Sequence, residues 1–146
     1  MLKLNRLMKD QSGLVLRWVL GIVIGGAVVV FLLAEVGPIL WVRVFGIQEA
    51  EDVANSVANE YFMKKNPQEA IQAAALVMQG KGFSDQEIRE SVITFYPPGA
   101  PTNQYTSVKV TVIKYSPTLL TRHIKQLQKL SRVAITKEAS IAPEHQ

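Results

Sequence analysis

The sequence predicts an α+β chain: a single N-terminal transmembrane helix, then a small domain with a three-stranded antiparallel sheet and helices on one face. Three observations predict it. Residues 18–34 form an apolar run without a charge. From Ile47 onward, apolar residues recur at steps of three and four, the period of a one-faced helix. Near the end, Ile93 and Phe95, then Val108, Val110 and Val112, then Val133 and Ile135 alternate with polar neighbours, the period of a half-buried strand.

At 146 residues the chain holds one small domain, and about a hundred residues remain for it once the apolar run is set aside. The chain has no cysteine. Disulfides, thiolate nucleophiles and Cys-type zinc sites are therefore excluded, and an exported domain has to be stable by packing alone. The net charge of +4 draws much of its excess from Lys3, Arg6, Lys9 and Arg17, which sit beside the apolar run. A membrane accounts for that charge without nucleic acid.

Adding residues 14–16 gives the run the length needed to cross a hydrocarbon core of roughly 30 Å. A buried helix of a soluble domain would carry a polar stripe, whereas residues 19–33 are apolar on every face. Arg17 and Glu35 mark the two edges, where charged heads reach the interface, and Trp18 and Trp41 flank the core as interfacial aromatics do. Pro38 after Gly37 suits a kink or a helix restart just beyond the bilayer. The run exceeds a signal-peptide h-region, and "FLLAEVG" lacks the small-x-small pattern of a cleavage site, so a retained signal anchor is expected. Basic residues precede the run and only Arg43 follows closely. The positive-inside rule then places the N-terminus in the cytoplasm and the domain outside, in a cytoplasmic (inner) membrane.

The expected organisation is a basic cytoplasmic N-terminus over 1–13, a transmembrane helix and juxtamembrane segment over 14–44, an extracytoplasmic α+β domain over 45–140 and a flexible tail over 141–146. In the domain's first helix Ile47, Ala50, Ala54, Val57, Ala58, Tyr61 and Phe62 face inward, opposite a solvated face of Glu49, Glu51, Asp52, Asn55 and Asn59. A second helix starts at Asn66 as N-cap with Pro67 at its first position, turns Ile71, Ala74, Ala75 and Met78 inward, and stops at "QGKG". Ser84 and Glu87 form a capping box for a short third helix ending before Ser91. "SVITFY" and "YTSVKVTVIKY", joined by the turn-rich "PPGAPTNQ", pair as a hairpin. Ser116 caps, and Pro117 opens, a fourth helix with Leu120, Ile124 and Leu127 inward. "SRVAITKEAS" is the last strand. A sheet with the first strand central is expected, because it avoids a parallel pairing of the second and third.

No chemistry-bearing constellation stands out. His123 lies within the fourth helix and His145 in the tail, without a carboxylate at helical spacing to orient His123. Glu49, Glu51 and Asp52 lack the loop glycine and alternating oxygen ligands of a calcium site. "GKG" at residues 80–82 is a helix stop, not a phosphate loop, because the preceding strand and following Ser or Thr are missing. The expectation is no catalytic residue, no cofactor, no metal, no nucleic acid and no small-molecule substrate. Gly21 and Gly25, extended by Gly26, form a G-x-x-x-G face that a second transmembrane helix can approach closely. The expected partners are the lipid bilayer and other membrane-embedded subunits.

The basic start with "DQSG", the single span, "GIQEAEDVANSVANEY" and "SVKVTVIKYSPTLLTRHIKQLQKLSRVAITKEAS" together resemble the TadE/TadG-like pilus-assembly proteins, bacterial membrane-anchored pseudopilins. That resemblance covers most of the chain. It implies a pilin-like fold and a non-enzymatic minor pilin or assembly factor of a Tad/Flp-type apparatus, contacting other pilins. Processed members carry Glu five residues after the cleaved Gly, whereas Trp18 stands there after Gly13, so the uncleaved arrangement is the one implied. The other readings of the residues are an accessory single-pass subunit of another envelope complex, such as a transporter or respiratory assembly, and an extracytoplasmic enzyme.

Overall fold

The computed structural model describes residues 2–141, with the side chains of 13–120 and 123–141. The element order is α1 (Leu2–Lys64), α2 (Pro67–Gly80), α3 (Asp85–Glu90), β1 (Val92–Tyr96), β2 (Ser107–Tyr115), α4 (Leu119–His123), a 3₁₀ helix (Lys125–Ser131) and β3 (Arg132–Ser140). Beyond Ile141, the expected tail and His145 lie outside the described residues. The chain divides into two units, Met1–Gly37 and Pro38–Gln146.

The first unit is helix. Its best 18-residue window reaches a mean hydropathy of 2.6 with none of it buried, and among the described residues α1 is the one helix long and apolar enough to cross a membrane. The helix runs through Pro38, so of the kink or restart expected there the restart does not occur. Proline removes one backbone hydrogen bond and crowds the carbonyl four residues back. The turns after it are held by packing instead, since Ile39 and Val42 rest against the buried cluster of the second unit.

In that unit the helix lies on the sheet through Gly46, Ala50, Val53, Ala54, Val57, Ala58 and Tyr61, all buried. Small residues at 46, 50, 54 and 58 recur every fourth position, which puts them on one ridge and lets backbone approach strand. At Gly46 the approach is closest: a Cβ there would collide with Cδ1 of Ile135 in β3. Val53 joins this stripe, while Ile47 and Phe62, expected inward, are exposed. Lys65, with φ of 52°, ends α1 in the left-handed region. Asn66 then caps α2, its side chain accepting from the Gln68 amide. The inward stripe of α2 is Ala70, Ala74 and Met78, and Ile71 faces out.

The fold is α+β, and its sheet is antiparallel in the order β1-β2-β3. The second strand, not the first, is therefore central. Val110 pairs with Ile93 on one side and Lys137 on the other. The expected order treated the segment between β2 and β3 as a helix carrying the chain from end to end. In fact the chain winds back at the same end, and the Ser116 amide donates to the Ser131 carbonyl at 2.9 Å, extending the β2–β3 pairing by one step. Pinned at both ends, the segment forms α4 and a 3₁₀ turn rather than one long helix, and Ser116 is buried instead of capping. Leu120 and Ile124, expected inward, are exposed, and Leu127 is half-buried.

Gly46 supplies a direct test of the helix–sheet approach. In an open helix, Gly→Ala is favourable by about 1 kcal/mol. Here the new methyl meets Ile135 Cδ1, an atom that Ile135→Val removes. Gly46→Ala is expected to be more favourable by about 1 kcal/mol in the Ile135→Val background than in the wild type, read as a double-mutant cycle by denaturant unfolding of the detergent-solubilised chain. Additive effects would show that the two residues do not meet.

Candidate functional site

In the first unit, Gly21, Gly25 and Gly26 stand open, with nothing within 4 Å of a Cβ built on any of them. Gly21 and Gly25 are one turn apart and share a face. The missing side chain at Gly21 leaves a shallow concavity lined by Arg17, Trp18, Gly21 and Ile22. Arg17 and Trp18 are exposed beside it, so the structure brings these interfacial residues and the first glycine together. Such a face can take a ridge of a second helix. Glu35 is half-buried at the far end of the same unit. Trp41 belongs to the second unit, 66% exposed, with its ring 4.1 Å from that of Phe45 one turn on.

The acidic run lies on the solvated face expected of it, with Glu51 and Asp52 exposed and Glu49 half-buried, and it is also a fastening. Glu49 meets Lys114 of β2 at 2.5 Å, Asp52 meets Lys81 at the end of α2 at 2.6 Å, and Glu51 meets Lys137 of β3 at 3.5 Å. One helix is thus tied by charge to three other pieces of the unit. Exposed pairs contribute at most about 1 kcal/mol each, so their value is registration more than stability. Lys114, which also lies over the Phe83 ring at 4.5 Å, is the least exposed of the three lysines. A signal for this was present in the sequence: Lys114 is in phase with Val108, Val110 and Val112, and Lys137 with Val133 and Ile135. Charges on the inward phase of a strand need partners.

Two further clusters were not foreseen. Tyr61, fully buried, donates to the Thr102 carbonyl at 2.6 Å and accepts from the Tyr105 amide at 3.1 Å, and its ring packs on Phe95 and Tyr105. It fixes the β1–β2 connection to α1. Glu87 keeps its capping-box role, accepting from the Ser84 amide, but its other oxygen accepts from the Tyr115 amide at 2.7 Å. Ser91 accepts from the Ile113 amide at 3.0 Å. These side chains satisfy β2 where β1, which pairs only as far as Thr111, has not yet begun.

Next to them Glu90 accepts from Gln86, from the Tyr115 hydroxyl and from Arg132. Hydrogen bonds from Gln86 and Tyr115, with the Arg132 ion pair, hold the Glu90 carboxyl below its ordinary 4.5. The same carboxylate raises the Tyr115 phenol above 10.0. Both groups move away from neutrality, opposite to what proton transfer requires. Among the described residues no group of His, Asp and Glu is placed to hold a metal ion. His123 is exposed at the end of α4, and the glycines of "GKG" belong to the end of α2 and its turn. Comparison of the chain with protein-family models, with curated proteins and with solved structures gives no match.

The sign of the Glu90 shift sets a pH dependence. Folding lowers its pKa, so below about 4.5 the unfolded chain binds more protons than the folded one. The contribution is complete above that value and lost as pH falls through the lower folded pKa. Denaturant midpoints measured from neutral to acid pH are expected to fall less steeply below 4.5 in Glu90→Gln than in the wild type. Identical pH profiles would remove Glu90 from the account.

Proposed function

We propose that the chain is a non-enzymatic, single-pass membrane protein of the bacterial envelope, which joins a larger assembly by helix packing and domain contacts. The observation that carries this reading is the apolar, unburied helix of the first unit with its open glycine face. Nothing in water favours such a surface, whereas a bilayer and a second helix do. Within that class we assign it as a minor pilin or assembly factor of a Tad/Flp-type apparatus, a finer assignment that rests on the sequence resemblance. The charge distribution supports an N-terminus in the cytoplasm and the α+β unit outside.

Orientation is tested by a reporter fused after Gln146, which is expected to be active outside the cytoplasm. Activity of a cytoplasm-only reporter there would overturn the topology. Packing is tested by Gly25→Leu, which fills the glycine face while leaving the helix as apolar as before. Insertion is expected to survive while crosslinking to partner subunits falls several-fold; the control Val29→Leu adds bulk one turn away and is expected to crosslink as the wild type. Equal recovery with Gly25→Leu would reduce the helix to an anchor. Recovery of transporter or respiratory subunits in place of pilins would move the protein to another envelope complex.

A further inference from the structure

The connection between β2 and β3 exposes more aliphatic surface than its own unit covers. Leu119 and Leu130 are 50% and 72% exposed, and Leu120 and Ile124 are also open to solvent. Lys125 and Lys129 stand exposed among them. The unit's geometry places this connection. Glu49 of α1 reaches Lys114 near the end of β2, whereas Tyr61, three turns later, reaches Thr102 and Tyr105 before β2 begins. Within this unit α1 therefore runs opposite to β2, and the connection that follows Tyr115 lies at the end where the chain enters at Pro38. The exposed Trp41 and Phe45, their rings in tilted contact, lie on the helix toward that same end.

We propose that the connection over residues 116–131 is a second membrane contact, resting its aliphatic side chains in the interface and its lysines on anionic lipid headgroups. This rests on the reading of the apolar run as a span. Aliphatic residues rimmed by lysine, with tryptophan nearby, is the composition that settles at the boundary of headgroups and acyl chains. The charge matches an anionic surface. A covalent tether to the bilayer close by keeps such a surface at high effective concentration, so a contact too weak to recruit a free protein is populated here. The break between α4 and the 3₁₀ turn has a consequence in this arrangement: Leu120 and Ile124, which one long helix would have turned toward the sheet, stay outward.

The chain has no cysteine, so single cysteines place probes cleanly. Full-length protein carrying an environment-sensitive fluorophore at Leu130→Cys, Leu76→Cys or Val23→Cys is reconstituted in phosphatidylcholine vesicles, with or without phosphatidylglycerol, containing lipid-borne quencher. Leu76 is the control, equally exposed but on α2. The Leu130 probe is expected to be quenched in vesicles containing phosphatidylglycerol, the Leu76 probe to be unquenched, and the Val23 probe to be quenched in both lipids. Each lysine near an anionic surface favours contact by about fivefold, so Lys125→Gln with Lys129→Gln is expected to weaken docking by about twenty-fivefold. An unquenched Leu130 probe beside a quenched Val23 probe overturns the docking and leaves the span in place; an unquenched Val23 probe overturns both. Quenching at Leu130 that ignores the two lysines overturns the assignment to anionic lipid. Protection of Leu130 from a water-soluble maleimide in native membranes but not in pure vesicles assigns the surface to a protein instead.

Discussion

The second unit depends on how closely α1 can lie on its sheet. Gly46, Ala50, Ala54 and Ala58 present almost no side chain along one ridge; Ala50, Ala54 and Ala58 share one buried cluster with Val108, Val110, Val112 and Ile135, and Gly46 lies against Ile135. Larger residues on that ridge would lift the helix. The acidic side chains would then lose their lysines and the Tyr61 hydroxyl its two backbone partners. Close packing, not charge, sets the distance at which these polar contacts become possible.

The polar contacts in turn decide how the irregular parts attach. A nine-residue central strand beside a five-residue edge strand leaves amides unpaired, and a buried unpaired amide is unfavourable by about 1–3 kcal/mol. Glu87 and Ser91 supply the missing acceptors from a short helix and its cap. Thus α3 does for the end of β2 what a longer β1 would have done. Tyr61 performs the same service for the β1–β2 connection at the other end.

The two units obey different rules. Core and surface are distinct in the second, where among the described residues Ser116 Oγ is the one buried side-chain polar atom without a partner, and the open face of the sheet carries Thr111 bonded to Thr136 and Ser107 bonded to Glu138. In the first, apolar side chains point outward on all sides, and Gly21, Gly25 and Gly26 stand open among them. A bilayer accounts for that inversion, because lipid removes the reason to bury leucine and leaves close packing as the means of association.

The sequence by itself determined whatever depends on neighbours along the chain. The apolar run, the Asn66 and Ser84 caps, the stop after Gly80 and the alternation of the three strands were legible because propensity and periodicity are local properties. Much of the inward stripe of α1 was legible for the same reason, although Val53 was missed, and Ile47 and Phe62, each one position round the helix from the buried Gly46 and Tyr61, were misplaced. Only the tertiary structure decided that β2 is central, since strand order depends on where a connection ends in space. It decided that residues 116–131 do not form one helix, because the Ser116–Ser131 pairing holds the ends too close together. It also gave Glu49, Glu51 and Asp52 lysine partners from distant segments, and Glu87 a second acceptor role. Those roles arise from contacts between residues far apart in sequence, which no local pattern encodes.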